Sequence, residues 1–245
     1  MDNVSSIALS RLVAQQRAND VTATNLANAA TPGFYAERVV FSDWLVRARG
    51  PTASGNATIA FTQDRATYRD IRPGPLQHTA NPLDIAIGGD GYFSVQTPNG
   101  VRLTRGGHFS TSANGEIIDG QGNALLTNSG GKLRLAPTDG EVTIAADGTV
   151  TSNNRPIGSI GVVKPDNDQA LRAEGNLLSS VSTQTKPVAN PKLIQGAIEG
   201  SNIQPTLELT RMMSDLREFQ FTSELVQAEA DQQRSAIDKL TQARS

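Results

Sequence analysis

The sequence predicts an α+β protein: long N- and C-terminal helices paired as a helical, coiled-coil-like domain, with a central antiparallel all-β domain. Three observations carry this. An apolar seam runs through the last forty residues, a stripe of small residues runs through the first twenty-eight, and the middle is rich in Asn-Gly and Asp-Gly pairs. The expected division is 1–40 and 200–245 as the terminal helical assembly domain, 41–65 as a linker or extended connection, and 66–199 as the central β domain.

Residues 4–28 form the first helical candidate. Val4, Ile7, Ala8, Ala14, Ala18 and Val21 lie near one stripe, widened by Leu12 and Leu26. So small a face buries little area at about 25 cal/mol/Å², so the helix is marginal alone and suits close packing on another helix. It stops at Ala29-Ala30-Thr31-Pro32-Gly33, because a residue before proline disfavours the α region and Gly33 supplies a turn. Phe34–Leu45 has no clean period and reads either as extended or as a short helix around 42–46. Arg49–Asn56 (RGPTASGN) has linker composition.

From about Thr58 to Asn190 the texture is β. Candidate strands are 83–87, 92–96, 101–104, 108–111, 116–118, 132–135, 142–144, 149–151 and 157–163. Between them stand Asn99-Gly100, Asn114-Gly115, Asp119-Gly120, Asp139-Gly140 and Asp147-Gly148, pairs that favour primed hairpin turns. From Leu209 the C-terminal seam reads Leu209, Met212, Leu216, Phe219, Ser223, Val226, Ala230, Gln233, Ile237, Leu240, alternating steps of three and four. Pro205 suits its first turn. A helix of about 35 residues would be roughly 50 Å long, more than a small domain covers, so the seam serves either its own chain or others.

Composition narrows the function classes. Of 245 residues, 37% are hydrophobic and only 4% aromatic, so a modest core is expected. A net charge of −2 with charges spread along the chain argues against nucleic acid, which calls for a basic face, and against a polybasic membrane anchor. There is no cysteine, hence no disulfide or thiolate chemistry. No apolar run is long enough for a transmembrane helix, so no membrane insertion is expected. Met1–Ser10 lacks the pattern of a cleaved secretory signal, which implies the cytoplasm or export without cleavage.

Nothing in the chain reads as catalytic, cofactor-binding or metal-ligating. There is no Walker A sequence, and Gly88-Gly89-Asp90-Gly91 reads as a tight hairpin rather than a dinucleotide loop. No His-Glu-x-x-His or EF-hand spacing occurs. The two histidines, His78 and His108, lack a Gly-x-Ser-x-Gly partner. Asp139 and Glu141 flank a turn, and the Asn-x-Ser/Thr matches at Asn3 and Asn56 are short patterns.

Several stretches resemble the axial proteins of the bacterial flagellum. Thr22–Tyr35 (TATNLANAATPGFY) is similar to the N-terminal signature of rod and hook proteins. Tyr68–Phe93 (YRDIRPGPLQHTANPLDIAIGGDGYF) and Leu103–Gly115 (LTRGGHFSTSANG) resemble segments of the family's β domain. Gly200-Ser201-Asn202 before the long helix resembles its C-terminal signature. The length and the Met-Asp-Asn start resemble proximal-rod members more than distal-rod ones, and hook proteins carry a larger inserted domain. Leu103 stands where the family has Tyr. Gln204 stands near a usual Asp and is the poorer N-cap.

The resemblance implies a non-enzymatic structural subunit of the proximal rod, with no cofactor. Its partners would be copies of itself, other proximal and distal rod proteins, and the flagellar type III export apparatus; no nucleic acid or small-molecule substrate is implied. It would sit in the basal body, spanning the periplasm and exported without a cleaved signal. The implied assembly interface is Val4, Ile7, Ala14, Ala18, Val21, Asn25, Leu26, Asn28, Leu209, Met212, Leu216, Phe219, Val226, Ala230, Ile237 and Leu240. Asn25, Asn28 and Gln233 would either bond between subunits or be solvated. Thr31, Pro32 and Gly33 would redirect the chain from inner helix to outer layer. Both ends would be poorly ordered in the free subunit and fold on assembly. A distal-rod or hook-like member, or a β-rich hydrolase or glycan-binding module using His78 or His108, are the other readings.

Overall fold

A computed structural model of the chain describes residues 2–47, 58–136, 139–175, 177–181 and 184–242. By its contacts the chain divides into two units. The first comprises Met1–Ala27, Glu37–Asp70 and Gln204–Ser245; the second comprises Asn28–Ala36 and Ile71–Ile203.

The first unit holds two helices and a hairpin. Helix α1 spans Asp2–Ala27, a stretch free of Gly and Pro that ends in the turn before Pro32. Strands β1 (Glu37–Arg47) and β2 (Thr58–Arg69) pair antiparallel from Glu37↔Arg69 to Arg47↔Thr58, with a register shift between Val40 and Phe41. Helix α2 spans Pro205–Gln242, 38 residues, or about 57 Å at 1.5 Å per residue. Helix α1 packs against α2 and both strands. Gln15 Nε2 reaches Glu218 Oε2 at 3.4 Å, and Ile7 and Ala8 lie beside Phe221, Thr222 and Leu225, so the two helices run antiparallel.

The stretch 41–65, expected as linker or extended connection, is thus paired strand over most of its described length. Its backbone groups are satisfied by the opposite strand, which its aperiodic composition does not reveal. The extended alternative for 34–45 is the one adopted from Glu37 onward. The RGPTASGN segment lies outside the described residues.

The second unit is built on antiparallel strands. Among the described residues the largest sheet has nine, running in the order Leu171–Gly175, Leu178–Val181, Gly100–Thr104, Tyr92–Thr97, Ala124–Leu125, Ile117–Asp119 and Phe109–Thr111. Val162–Pro165 branches from Tyr92–Thr97 and carries Thr185–Pro187. Val142–Ile144, Thr149–Ser152 and Arg155–Ser159 form a three-stranded sheet. Ile85–Ile87 pairs with Leu193–Gln195, and Leu76–His78 with Ala197–Glu199. Ile85, Phe93, Val95, Ile117, Leu125, Val150 and Ile160 lie at its centre, each 0–1% exposed. Phe93 and Phe109 meet edge to face at 5.3 Å, a favoured aromatic geometry.

Most strands expected from turn chemistry are present to within a residue or two. Lys132–Leu135 is instead held by single bridges, Leu126↔Lys132 and Glu116↔Arg134. Strands at 76–78, 124–125, 171–175, 178–181, 185–187, 193–195 and 197–199 were not expected. They are short, and several lack the flanking Asn-Gly or Asp-Gly signal. The expected hairpin of Thr149–Ser152 and Arg155–Ser159 turns without glycine at Asn153-Asn154: both residues take positive φ (50° and 61°), a conformation Asn tolerates.

Candidate assembly elements

The four motif segments of the sequence meet in the second unit, and a separate polar centre lies in the first. In the second unit the centre is Glu199, 1% exposed, with Arg105, 6% exposed. Arg105 Nε lies 2.6 Å from Glu199 Oε2. Its two terminal nitrogens donate to the carbonyls of Gly91, Ile87 (3.1 Å) and Gly89 (2.6 Å). The planar fork of arginine suits this set of acceptors. Glu199 Oε1 accepts from Tyr35 Oη at 3.0 Å and from the Gly74 amide at 2.9 Å. Burial, reinforced by Glu199 and only partly opposed by Arg105, pushes the Tyr35 hydroxyl far above its ordinary range, so it stays a donor.

The turn after α1 is cinched onto the same centre. The Gly33 amide donates to Glu199 O at 2.7 Å, and Thr31 N to Asn28 O at 3.1 Å. Gly33 is at φ +74°, and a Cβ there would meet Arg105 C at 2.6 Å, so both backbone and space require glycine. The amide of Ala36 donates to Asn202 Oδ1 at 2.8 Å, and Asn202 Nδ2 to Arg72 O at 2.8 Å. Thus the Thr-Pro-Gly-Phe-Tyr, Gly-Asp-Gly-Tyr-Phe, Thr-Arg-Gly-Gly and Gly-Ser-Asn segments form one buried polar network. Glu199, missed in the sequence, is its hub; its position one residue before Gly200-Ser201-Asn202 was the available signal.

In the first unit the polar centre is a corner shared by three elements. Asn25, 0% exposed, donates from Nδ2 to Glu37 O (2.8 Å) and accepts from Glu37 N at Oδ1 (2.9 Å), acting as a one-residue partner strand for the start of β1. Arg38 forks onto Glu208 with 2.8 and 2.7 Å bonds, and Glu208 is 0% exposed. Burial alone would raise the Glu208 carboxyl. The Arg38 bond and charge, helped by Arg211 and Asn25, overcome this and hold it below its usual range. Arg38 is correspondingly raised, chiefly by that same bond. In the first turn of α2 the amides of Leu207 and Glu208 donate to Gln204 O at 3.0 and 3.1 Å.

The proposed interface residues fall into two groups. Ala14, Val21 and Asn25 are buried within the unit; Ile7, Ala18, Leu26, Asn28, Met212, Phe219, Val226 and Ala230 are half-buried. Leu209, Leu216 and Ile237 are exposed at 49%, 46% and 60%. Val4 and Leu240 have no described side chain. Asn25 is neither solvated nor available to a neighbour, since both ends of its amide are bound to β1. Asn28 Oδ1 accepts from Thr31 Oγ1 at 3.2 Å, and Gln233 Nε2 lies 3.5 Å from Glu229 Oε1 on the same helix. The inward face of α2 runs through Glu208, Met212, Asp215, Phe219, Thr222 and Val226, rotated from the expected seam at alternate positions. The apolar residues left outward include Leu9, Val13, Met213, Phe221 and Leu225, none of which the small-residue stripe or the seam picked out.

The histidines do not form a site with each other. His78 is exposed on the strand paired with Ala197–Glu199. His108 Nδ1 lies 2.7 Å from Asp84 Oδ1, which also accepts from Asn81 Nδ2 at 3.0 Å. That cluster pins the 81–85 turn. Among the described residues no group of three or more His, Cys, Asp or Glu could hold a metal ion, and no helix is long and apolar enough to cross a membrane.

Comparison with known proteins matches these same segments. Residues 6–34 match the family described as "Flagella basal body rod protein", 86–152 the "Flagellar hook protein FlgE/F/G D1 domain", and 194–239 the "Flagellar basal body rod FlgEFG protein C-terminal". The chain is 33% identical to the flagellar basal-body rod protein FlgF of Caulobacter vibrioides over 98% of both chains, and 34% identical to FlgF of Mesorhizobium japonicum over 96% of both. It is 31% identical to the rod protein FlgG of Bacillus subtilis over 84% of this chain and 87% of the relative. With end-to-end similarity to rod proteins and every family segment placed in the fold, the chain belongs to the flagellar rod and hook protein family, as a structural rod subunit of the basal body.

Proposed function

We propose that this subunit occupies the proximal rod, where it stacks helically with copies of itself and with other rod proteins and carries torque from motor to hook. Domain use follows the division set out above: 1–40 and 200–245 assemble, and 66–199 lies outside them, with Thr31-Pro32-Gly33 as the turn between layers. The role is mechanical and non-enzymatic, without cofactor. The subunit leaves the cell through the type III export apparatus without a cleaved signal and spans part of the periplasm. The observation that carries the reading is the outward apolar set on the two terminal helices: Leu9, Val13, Leu209, Met213, Leu216, Phe221, Leu225 and Ile237 are 46–64% exposed, Phe221 reaching 70%. So much uncovered apolar surface on two helices suits burial by other chains. A non-closing, heterologous contact then builds a shaft rather than a ring.

The FlgG relative supports a second reading, the distal rod. Electron microscopy of basal bodies carrying a labelled subunit separates the two. Label at the motor end of the rod is expected; label confined to the hook end assigns the distal rod, and no label on rods in motile cells overturns both.

A further inference from the structure

Helix α1 carries two seams, and only one is spent on its own chain. The inner one (Ala8, Ala14, Gln15, Val21, Thr22, Asn25) is buried. On the opposite side, Ser6, Leu9, Val13, Gln16, Asp20, Ala23 and Ala27 follow one another in steps of three and four, and every one is exposed. Four of the seven, Leu9, Val13, Ala23 and Ala27, are apolar, and an exposed apolar strip at this spacing suits a second helix. Its ridge is Leu9 and Val13, 62% and 64% exposed, and its one charge is Asp20.

The molecule also holds a matching concavity. Between α1 and α2 lies a groove of about 390 Å³ whose apolar lining is Ile7, Ala8, Phe221 and Leu225, with Arg217 and the Arg11–Glu218 ion pair (3.7 Å) also lining it. At 100° per residue, Ile7, Ala8 and Arg11 sit roughly half a turn round α1 from the Leu9–Val13 ridge. Ridge and groove therefore face away from each other and cannot meet within one chain. A ridge on one side and a groove on the other is the arrangement of a head-to-tail contact that repeats without closing.

We propose that the Leu9–Val13 seam of one copy seats in the Phe221–Leu225 groove of a second copy. This rests on the assembly reading above and names the contact it uses. The inner stripe, by contrast, does not leave its own chain.

The chain has no cysteine, so single cysteines report the contact directly. Full-length Val13→Cys and Phe221→Cys chains are purified and oxidised separately and as an equimolar mixture. The mixture should give disulfide-linked dimers well above either variant alone. Adding Leu9→Asp to the Val13→Cys chain should lower that yield about tenfold, since a carboxylate there loses water against Ile7, Ala8 and Leu225 and is set beside Glu218, which already holds Arg11. Helix content by circular dichroism should not change, because Leu9 is exposed in the single chain. Equal yields from mixed and separate samples, or a mixed yield that Leu9→Asp leaves unchanged, overturn the pairing. The rod assignment is read separately, from basal-body content: incorporation into rods without the disulfide sinks this contact and leaves the assignment standing.

Discussion

The two units of the chain solve the problem of burial in opposite ways. The second closes around Ile85, Phe93, Phe109, Ile117, Leu125 and Val150, apolar side chains almost wholly removed from water, with its polar network also closed. In the first, among the residues whose side chains are described, those at 0% exposure are Asn25 and Glu208, and the buried apolar ones are Ala8, Ala14 and Val21. Among the described side chains, area burial therefore favours the second unit. In the described part of the first, small-residue packing and a polar corner join the elements, Met212, Phe219 and Val226 are half-buried, and Leu9, Val13, Met213, Phe221 and Leu225 point outward. A part that must join others keeps its apolar surface until it does.

The sharpest way to break this contrast is to cut each unit where it is strongest. Phe93→Ala should destabilise the second unit by about 3–5 kcal/mol, because it leaves a cavity in a filled core. Phe221→Ala should move the folding transition by less than about 0.5 kcal/mol, as exposed substitutions do. Denaturant titration of both variants compares them directly; a similar loss from each would mean that Phe221 belongs to a core.

Next comes the network around Arg105. Arg105→Met or Glu199→Gln should cost about 3–5 kcal/mol, because each leaves its partner buried and unpaired. Arg105→Lys should recover little, since an ammonium cannot span Glu199 and the three carbonyls of the 87–91 turn. A smaller cost is expected for Gly33→Ala: roughly 1–2 kcal/mol from the left-handed backbone, plus displacement of the Arg105 backbone. Thermal melts rank the three.

The smallest expected effect lies in the helical unit and depends on pH. Glu208 is held below its ordinary value, so its contribution is full above the unfolded carboxylate pKa of about 4.3 and is lost as pH falls through the lower folded value. Asp215, raised by burial and then by Glu218, works the other way: its contribution is present in acid and lost as pH rises through its raised value. Acidification should therefore loosen the start of α2 and steady the middle of the helix pair. Hydrogen exchange of peptides around 205–212, against an Arg38→Gln control that should lack the acid loosening, reads this sign.

Much of the fold was legible because its signals are local. Thr31-Pro32-Gly33, Asn99-Gly100 and Asp147-Gly148 announce turns, and the three–four spacing from Leu209 announces a helix. The β1–β2 hairpin was not legible, since pairing between Val39 and Thr67 or Trp44 and Phe61 leaves no periodic trace in either strand. The face of α2 turned to its own chain differs from the expected seam by a fraction of a turn: a polar pair, Glu208 and Thr222, faces inward, where an apolar pattern alone places Leu209 and Ser223. Asn25 shows the same limit, because a buried amide serving as a strand partner looks, in sequence, like any polar residue on a helix.

Hydrogen exchange of the free full-length chain, resolved by peptide, tests the contrast between the units most directly. Ile85–Ile87, Tyr92–Thr97 and Ile117–Asp119 should exchange only with global unfolding. In the helical unit, slow exchange should be confined to the Asn25, Arg38 and Glu208 corner and fade along α2 past Thr222, its last buried residue among those described, so that 223–242 exchange fast. Uniformly slow exchange along α1 and α2, matching the β unit, would mean that the helices complete their own fold and would contradict the claim that they are finished by neighbours.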